Sequence, residues 1–116
     1  ANEDGENNLR VFQSRSGHRI TFDDTPGEER VELILHNEEI RIIWDSANKV
    51  VGVYSGKDII IETKDTMSLK CTDFILEAES NIDISSGSST TMTSGTTTSI
   101  DGGGDMVLKA GTININ

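Results

Sequence analysis

Apolar and aromatic side chains are scarce in this sequence. Hydrophobic residues make up 34% of its 116 residues and aromatic residues 4%. A single domain of this length normally needs a larger apolar fraction to close a core by itself. We therefore expect a chain that completes its core with other chains.

Other absences exclude whole classes of protein. The single cysteine, Cys71, rules out an internal disulfide framework, and its position two residues after Leu69 predicts a small inward or corner residue. No apolar run approaches the length of a membrane-spanning helix. Twenty acidic against ten basic residues, a net charge of −10, disfavour a nucleic-acid-binding surface. Residues 1–8 are polar, which predicts a solvated leader or the edge of a fragment rather than a signal peptide.

What the sequence does contain is a repeat. From Val51 to Asn116, pairs of positions two residues apart recur in steps of 8, 8, 7, 8, 8, 8, 8 and 7 residues. A spacing of two places both side chains on one face of a strand, so each unit predicts one short strand and a corner, with no helix. The predicted core residues are Val51, Val53, Ile59, Ile61, Met67, Leu69, Phe74, Leu76, Ile82, Ile84, Met92, Ile100, Met106, Leu108, Ile113 and Ile115.

Polar and glycine residues separate these pairs. They predict corners at Ser55–Asp58, Lys64–Asp65, Thr72–Asp73, Ser80–Asn81, Gly87, Gly95, Gly102–Asp105 and Gly111. The stretch from Ser85 to Ser99 is almost pure Ser, Thr and Gly, which is also typical of a flexible linker. Because Met92 and Ile100 keep the phase of the repeat, we interpret this stretch as ordered, with a threonine-lined interior.

The segment before the repeat predicts an antiparallel β junction over residues 9–45. Alternating apolar residues flank Pro26–Gly27, the favoured central pair of a type II turn, and this predicts a hairpin over residues 19–35. A further strand begins at Ile40 and ends near Trp44–Asp45. Residues 46–116 are assigned to the repeat region.

The repeat length predicts three chains. A single-chain β-helix needs about 20 or more residues per coil, whereas eight residues supply one strand and one corner. Three copies would close a triangular cross-section and bury the inward pairs on a common axis. The predicted fold is all-β: an intertwined homotrimeric triple-stranded β-helix, or needle, preceded by a short antiparallel β junction.

One segment resembles a known family. Ser14-Arg-Ser-Gly-His18, the following Arg19-Ile-Thr-Phe-Asp-Asp24, then Thr25, Gly27, Glu29 and Val31-Glu-Leu-Ile resemble the junction after the OB-fold domain in central-spike proteins of contractile injection systems. These include phage baseplate spikes and the VgrG-like spikes of type VI secretion. The resemblance covers roughly Asn8 to Asn116 and implies the same trimeric needle.

The resemblance also implies partners and a location. It implies a spike at the tip of a virion or secretion machine, made in the cytoplasm and driven through the target envelope for cell puncturing when the contractile phage tail or secretion sheath contracts. It implies upstream OB-fold and hub domains and a PAAR-like tip protein seated on the C-terminal end. The residues expected to contact that tip protein are Gly111, Thr112, Ile113, Asn114, Ile115 and Asn116. No histidine follows His36, so the metal-binding apex of some phage spikes is not expected here.

Several residues carry the types used in catalysis or metal binding. Ser16 and His18 near Asp23 and Asp24 match a hydrolytic triad in type, but no strand–elbow–helix pattern surrounds them, which favours a structural junction. His18 and His36 lack further ligands at familiar metal-site spacing. The acidic pairs Asp23/Asp24, Glu28/Glu29 and Glu38/Glu39 fit solvated turns better than a carboxylate dyad. Gly102–Gly104 lacks the Lys-Ser/Thr of a phosphate loop and is interpreted as a relaxed corner.

Alternatives stay open for three further residues. Trp44 is interpreted as a packing residue, with a cap on the β-helix or a partner anchor as the alternative. Thr90 and Thr98 face inward in the predicted trimer, where they would surround water or an ion of unknown identity on the threefold axis. No other cofactor and no metal site are expected.

These observations predict a structural, non-enzymatic, membrane-piercing spike. The alternative is a trimeric tail-fibre shaft or receptor-binding module, which has the same architecture. A third hypothesis, a carbohydrate-active single-chain β-helix, conflicts with the short repeat.

Overall fold

The computed structural model describes residues 7–116, so most of the predicted leader at residues 1–8 lies outside the described residues. The chain divides after Leu69 into two units. All regular secondary structure in the described residues is β: β1 (Leu9–Gln13), β2 (Arg19–Asp23), β3 (Arg30–Ile34), β4 (Ile40–Asp45) and β5 (Val50–Ser55). Along residues 7–116 we find no helix long and apolar enough to cross a membrane.

The five strands form one antiparallel sheet in the order β1-β2-β3-β4-β5, each paired with its neighbour in sequence. This sheet is called the junction sheet below. The predicted hairpin is confirmed, because β2 and β3 pair antiparallel with Phe22 opposite Val31. The predicted strand ending near Trp44–Asp45 is confirmed as β4.

The turn between β2 and β3 has the predicted type II geometry. Gly27 has a φ of 81°, and the backbone N–H of Glu28 donates to the carbonyl of Thr25 at 2.9 Å. Pro26 fixes φ at the first central position, and Gly27 accepts the positive φ required at the second. The hairpin therefore forms where the sequence chemistry placed it.

The junction sheet extends further than its predicted boundary at Asp45. Residues 46–49 form a turn, in which both carboxylate oxygens of Asp45 accept hydrogen bonds from Asn48 at 3.0 Å. The chain then returns as β5, which places Trp44 opposite Val51 and Ile42 opposite Val53. Val51 and Val53, predicted as the first pair of the repeat, thus lie in the sheet.

The predicted corners of the repeat appear as backbone bends. After β5 the backbone bends at 56–57, 64–65, 72, 79–80, 87–88, 95–96, 103–104 and 111. Successive bends begin eight residues apart, apart from one seven-residue step between 72 and 79. Between these bends the described chain forms no strand ladder, because strand pairing requires a neighbouring strand.

Candidate interaction surface

The junction sheet has one almost wholly apolar face. Directly opposed residues point to the same side of a sheet, and alternate residues of a strand point to opposite sides. The registers therefore place ten apolar side chains from all five strands on one side, called the apolar face here. They are Phe12, Ile20, Phe22, Val31, Leu33, Ile40, Ile42, Trp44, Val51 and Val53.

Seven of the ten side chains of the apolar face are exposed, and Val31, Leu33 and Ile42 are intermediate. Phe12 is 65% exposed, Val51 68% and Val53 54%, and even Phe22 retains 39% although it meets Phe12 edge to face with ring centroids 6.3 Å apart. The charged residue on this side, Arg10, lies at the rim and pairs with Asp24 at 3.4 Å. A contiguous exposed apolar patch of this kind is typical of an interaction surface.

The opposite face, called the charged face here, is built differently. Arg30 pairs with Glu32 at 2.6 Å, and the Arg41 guanidinium lies 4.8 Å from the centre of the Tyr54 ring. Gly52 leaves room for that ring, since a Cβ there would meet Tyr54 at 2.6 Å. Ile34, 7% exposed, is the one hydrophobic side chain buried in the described chain. This face is therefore adapted to water.

The predicted core residues of the repeat are likewise uncovered. Every residue from Gly56 to Asn116 is exposed. In the second repeat unit the predicted inward residues Ile59 and Ile61 are 54% and 74% exposed, and Ile60 between them is 84% exposed. The other predicted core residues span 48% exposure at Met67 to 87% at Ile115. The expected tip-contact residues at 111–116 are also exposed, beginning at the bend at Gly111.

The Ser/Thr-rich stretch repeats a hydrogen bond along with its bends. The Ser86 and Thr90 hydroxyls lie 3.0 Å apart across the bend at 87–88. Eight residues later the Ser94 and Thr98 hydroxyls lie 2.9 Å apart across the bend at 95–96. Two copies of one local structure favour an ordered repeat over a linker.

The glycine-rich segment 102–104 forms a corner, as interpreted from the sequence. Gly103 has a φ of 71°, and its N–H donates to the Asp101 carboxylate at 2.8 Å. A Cβ on Gly102 would collide with the backbone carbonyl of Asp105. Both positions therefore require glycine for the path of the chain.

A groove lies at the end of the junction sheet where Trp44 is found. Its volume is about 430 Å³, with Val31, Trp44 and Val51 among its lining residues and charged residues of the neighbouring turns beside them. Trp44 is 44% exposed. It is therefore only half packed in one chain, and both interpretations made for it, packing and partner anchor, fit this environment.

Two carboxylates near this groove hold turns together. Hydrogen bonds from the Thr25 hydroxyl and backbone N–H lower the pKa of Asp23. Hydrogen bonds from the Asn48 side chain and backbone likewise lower the pKa of Asp45. Arg30 lies opposite both residues in the sheet, and its positive charge lowers both pKa values to a smaller extent. Such hydrogen bonds favour the ionised carboxylate.

Three of the remaining acidic residues singled out from the sequence also have local side-chain partners. Asp24 pairs with Arg10, Glu29 accepts from the backbone N–H of Gly27 at 2.7 Å, and Glu38 pairs with Arg19 at 3.3 Å. The Glu29 contact lies in a turn, whereas Asp24 and Glu38 form ion pairs that were not predicted. Among residues 7–116 there is no group of three or more His, Cys, Asp or Glu side chains that could hold a metal ion.

The two histidines are in contact, and the sequence analysis did not predict this. The ring centroids of His18 and His36 are 5.3 Å apart, and His18 Nδ1 accepts a hydrogen bond from the backbone N–H of His36 at 3.2 Å. The hairpin register brings them only to neighbouring positions: Arg19 lies opposite Ile34, so the same register continued would pair His18 with Leu35, the residue before His36. Ser14, rather than Ser16, contacts this region: its Oγ accepts from the His18 N–H at 3.1 Å.

Cys71 is exposed and directly precedes the bend at 72, in agreement with the corner interpretation.

No protein-family model matches the chain, and no curated protein matches it in sequence.

Proposed function

We propose that this chain is one third of a rigid homotrimeric needle, a membrane-piercing spike at the tip of a contractile tail or secretion machine. One observation carries the proposal: from Gly56 to Asn116 the backbone bends every seven or eight residues, while every apolar side chain in the segment remains exposed. Exposing Ile, Leu, Met and Phe side chains to water at this spacing does not stabilise a single chain. Three intertwined copies bury the inward pairs and supply the missing strand partners.

The proposed mechanism is mechanical. Interleaved chains separate only when many strands unpair together, so the assembly resists force through slow unfolding. The outward positions of the repeat carry mainly Lys, Glu, Asp, Ser and Thr, with Ile60, Ile75 and Val107 as apolar exceptions, and three chains of net charge −10 keep the needle soluble. Neither a catalytic group nor a cofactor is needed for this task.

The proposed partners follow from the same architecture. Two further copies of the chain complete the needle, OB-fold and hub domains stand upstream, and a PAAR-like tip protein seats on residues 111–116. The sequence resemblance at residues 14–34 supports this choice over other trimeric β-structures. The spike acts at the envelope of the target cell.

The test begins with the mass of the purified chain in solution. Sedimentation equilibrium should give three times 12.6 kDa, and the band should resist SDS without boiling. A stable mass of 12.6 kDa would contradict the proposal. If the protein is trimeric, capture of one PAAR-like protein per trimer supports a spike, whereas binding of glycans without it supports a fibre shaft.

A further inference from the structure

An eight-residue repeat cannot by itself fix how three chains align. If one chain slips by eight residues, its inward pairs still meet inward pairs except at the two seven-residue steps, where the pairs that begin at Met67 and Met106 lose the phase. The segment from Ser85 to Ser99 makes slippage easier, since its Ser, Thr and Gly residues differ little from one unit to the next. Most of the repeat therefore tolerates a slipped alignment, and a needle with blunt, equal ends needs a less repetitive element to set the register.

The apolar face of the junction sheet has the properties of such an element. Its side chains differ in size and shape, with Phe12, Phe22 and Trp44 at separate positions, so a shifted alignment would not superpose like on like. It is uncharged apart from Arg10 at the rim, whereas the opposite face carries the Arg30–Glu32 pair and Arg41. Only the apolar face is suited to burial.

The apolar face is also continuous with the inward positions of the repeat. Val51 and Val53 belong to that face through their pairing with Trp44 and Ile42. They also begin the eight-residue series that continues at Ile59 and Ile61. Val51 and Val53 thus belong both to the apolar face and to the predicted inward series.

We infer that the apolar face of the junction sheet docks against the same face of two further copies and sets the register of the three chains. This inference rests on the proposed trimer and adds a specific task for residues 9–55. The occupant of the face is the chain's own second and third copies. The docked sheets allow one alignment, and the repeat then pairs from that point.

A matched pair of substitutions in one strand tests the inference. Val53 and Val50 both lie in β5 and are 54% and 52% exposed, but Val53 is on the apolar face and Val50 on the charged face. The full chain carrying V53D or V50D is unfolded and refolded, because register is chosen during assembly. We expect V53D to lower the trimer yield at least about tenfold, since a carboxylate would enter a dry interface. V50D should keep the yield of the unsubstituted chain.

Hydrogen exchange read by mass spectrometry reports the register itself. A slipped chain leaves its last repeat unit without strand partners, so a peptide covering residues 103–116 should show two exchange populations in the trimer that V53D still forms. The unsubstituted chain and V50D should show one. The milder pair V53T and V50T keeps β-branched side chains and decides the question if V53D fails to fold.

The outcomes separate the two proposals. If the unsubstituted chain is not a trimer, the proposed function fails and this inference fails with it. If it is a trimer and the Val53 and Val50 variants behave alike in yield and exchange, the register inference is overturned while the trimeric needle stands. A loss confined to the Val53 variants supports the inference.

Discussion

The side chains of Ser86 and Thr90 share a hydrogen bond across a corner of the repeat, with their hydroxyl oxygens 3.0 Å apart. Ser94 and Thr98 repeat the contact at 2.9 Å one unit later. This places the hydroxyl-rich stretch within the repeat rather than in a linker. In the proposed needle, Thr90 and Thr98 are inward, and each hydroxyl is satisfied within its own chain.

The first prediction concerns these two bonds. The substitutions S86A and S94A should each lower the free energy of unfolding by about 0.5–1.5 kcal/mol per chain, the net value of one hydrogen bond. The matched control is S88A, because no hydrogen bond of the Ser88 side chain is found among the described residues. Denaturant unfolding of the full chain measures all three. Equal effects at Ser86 and Ser88 would show that the contact contributes nothing.

The second prediction concerns the turn between β2 and β3. At Gly27 the φ of 81° is unfavourable for residues with a Cβ, and no atom lies within 4 Å of an added Cβ. The cost of G27A therefore comes from the backbone alone, and we expect a loss of about 1–2 kcal/mol. G27N should cost less, because Asn tolerates this conformation. The fluorescence of Trp44, the single tryptophan, follows unfolding of the sheet; an equal loss in both variants would contradict the backbone explanation.

Local chemistry made much of the fold predictable. Pro26–Gly27 determined a turn whose geometry depends on those two residues, and the eight-residue spacing located the bends because each corner needs small or polar residues. The end of the junction was not predictable in the same way. Val51 and Val53 fit both the alternation of a sheet strand and the phase of the repeat, and only pairing with β4 distinguishes the two.

The uncovered apolar positions of the repeat could be predicted from the sequence, but the apolar face of the junction sheet could not. The spacing in the sequence predicted inward positions, and the composition suggested that one chain lacks the apolar residues to cover them. Spacing within one strand could not show that Phe12, Phe22, Leu33 and Trp44 share a face, since that depends on the register between strands. The contact between His18 and His36 was missed for the same reason.

The third prediction concerns pH. Because Asp23 and Asp45 have lowered pKa values in the folded chain, their contribution to stability is present above the unfolded pKa of about 3.9. That contribution is lost as the pH falls through the lower folded values. The junction sheet should therefore unfold at lower urea concentration at pH 3 than at pH 6, as followed by Trp44 fluorescence.

Amide substitutions assign this pH dependence. D23N and D45N should each flatten the change in urea midpoint between pH 6 and pH 3, because an amide does not titrate in this range. D83N, at an exposed position of the repeat, is the matched control and should keep the full change. A pH dependence that is the same in all three variants and the unsubstituted chain would refute the assignment to the turns.

The fourth prediction compares two neighbouring isoleucines of the repeat. Ile60 and Ile61 are 84% and 74% exposed in one chain, so burial within that chain gives no reason for them to differ. In the proposed needle Ile61 points to the axis and Ile60 to solvent. I61A should then destabilise the assembly by about 2–5 kcal/mol per chain, the range for truncating a buried isoleucine. I60A should stay within about 0.5 kcal/mol, as expected for a surface position.

Thermal denaturation under trimer-forming conditions, with mass measured by sedimentation, tests this pair directly. The neighbouring positions share residue type and sequence environment, so helix or strand propensity cannot account for a difference between them. A selective loss in I61A requires that the inward side of the strand is covered by something outside this chain. Equal losses in I60A and I61A would instead mean that both faces of the strand are covered, which three chains closing a triangular section do not provide.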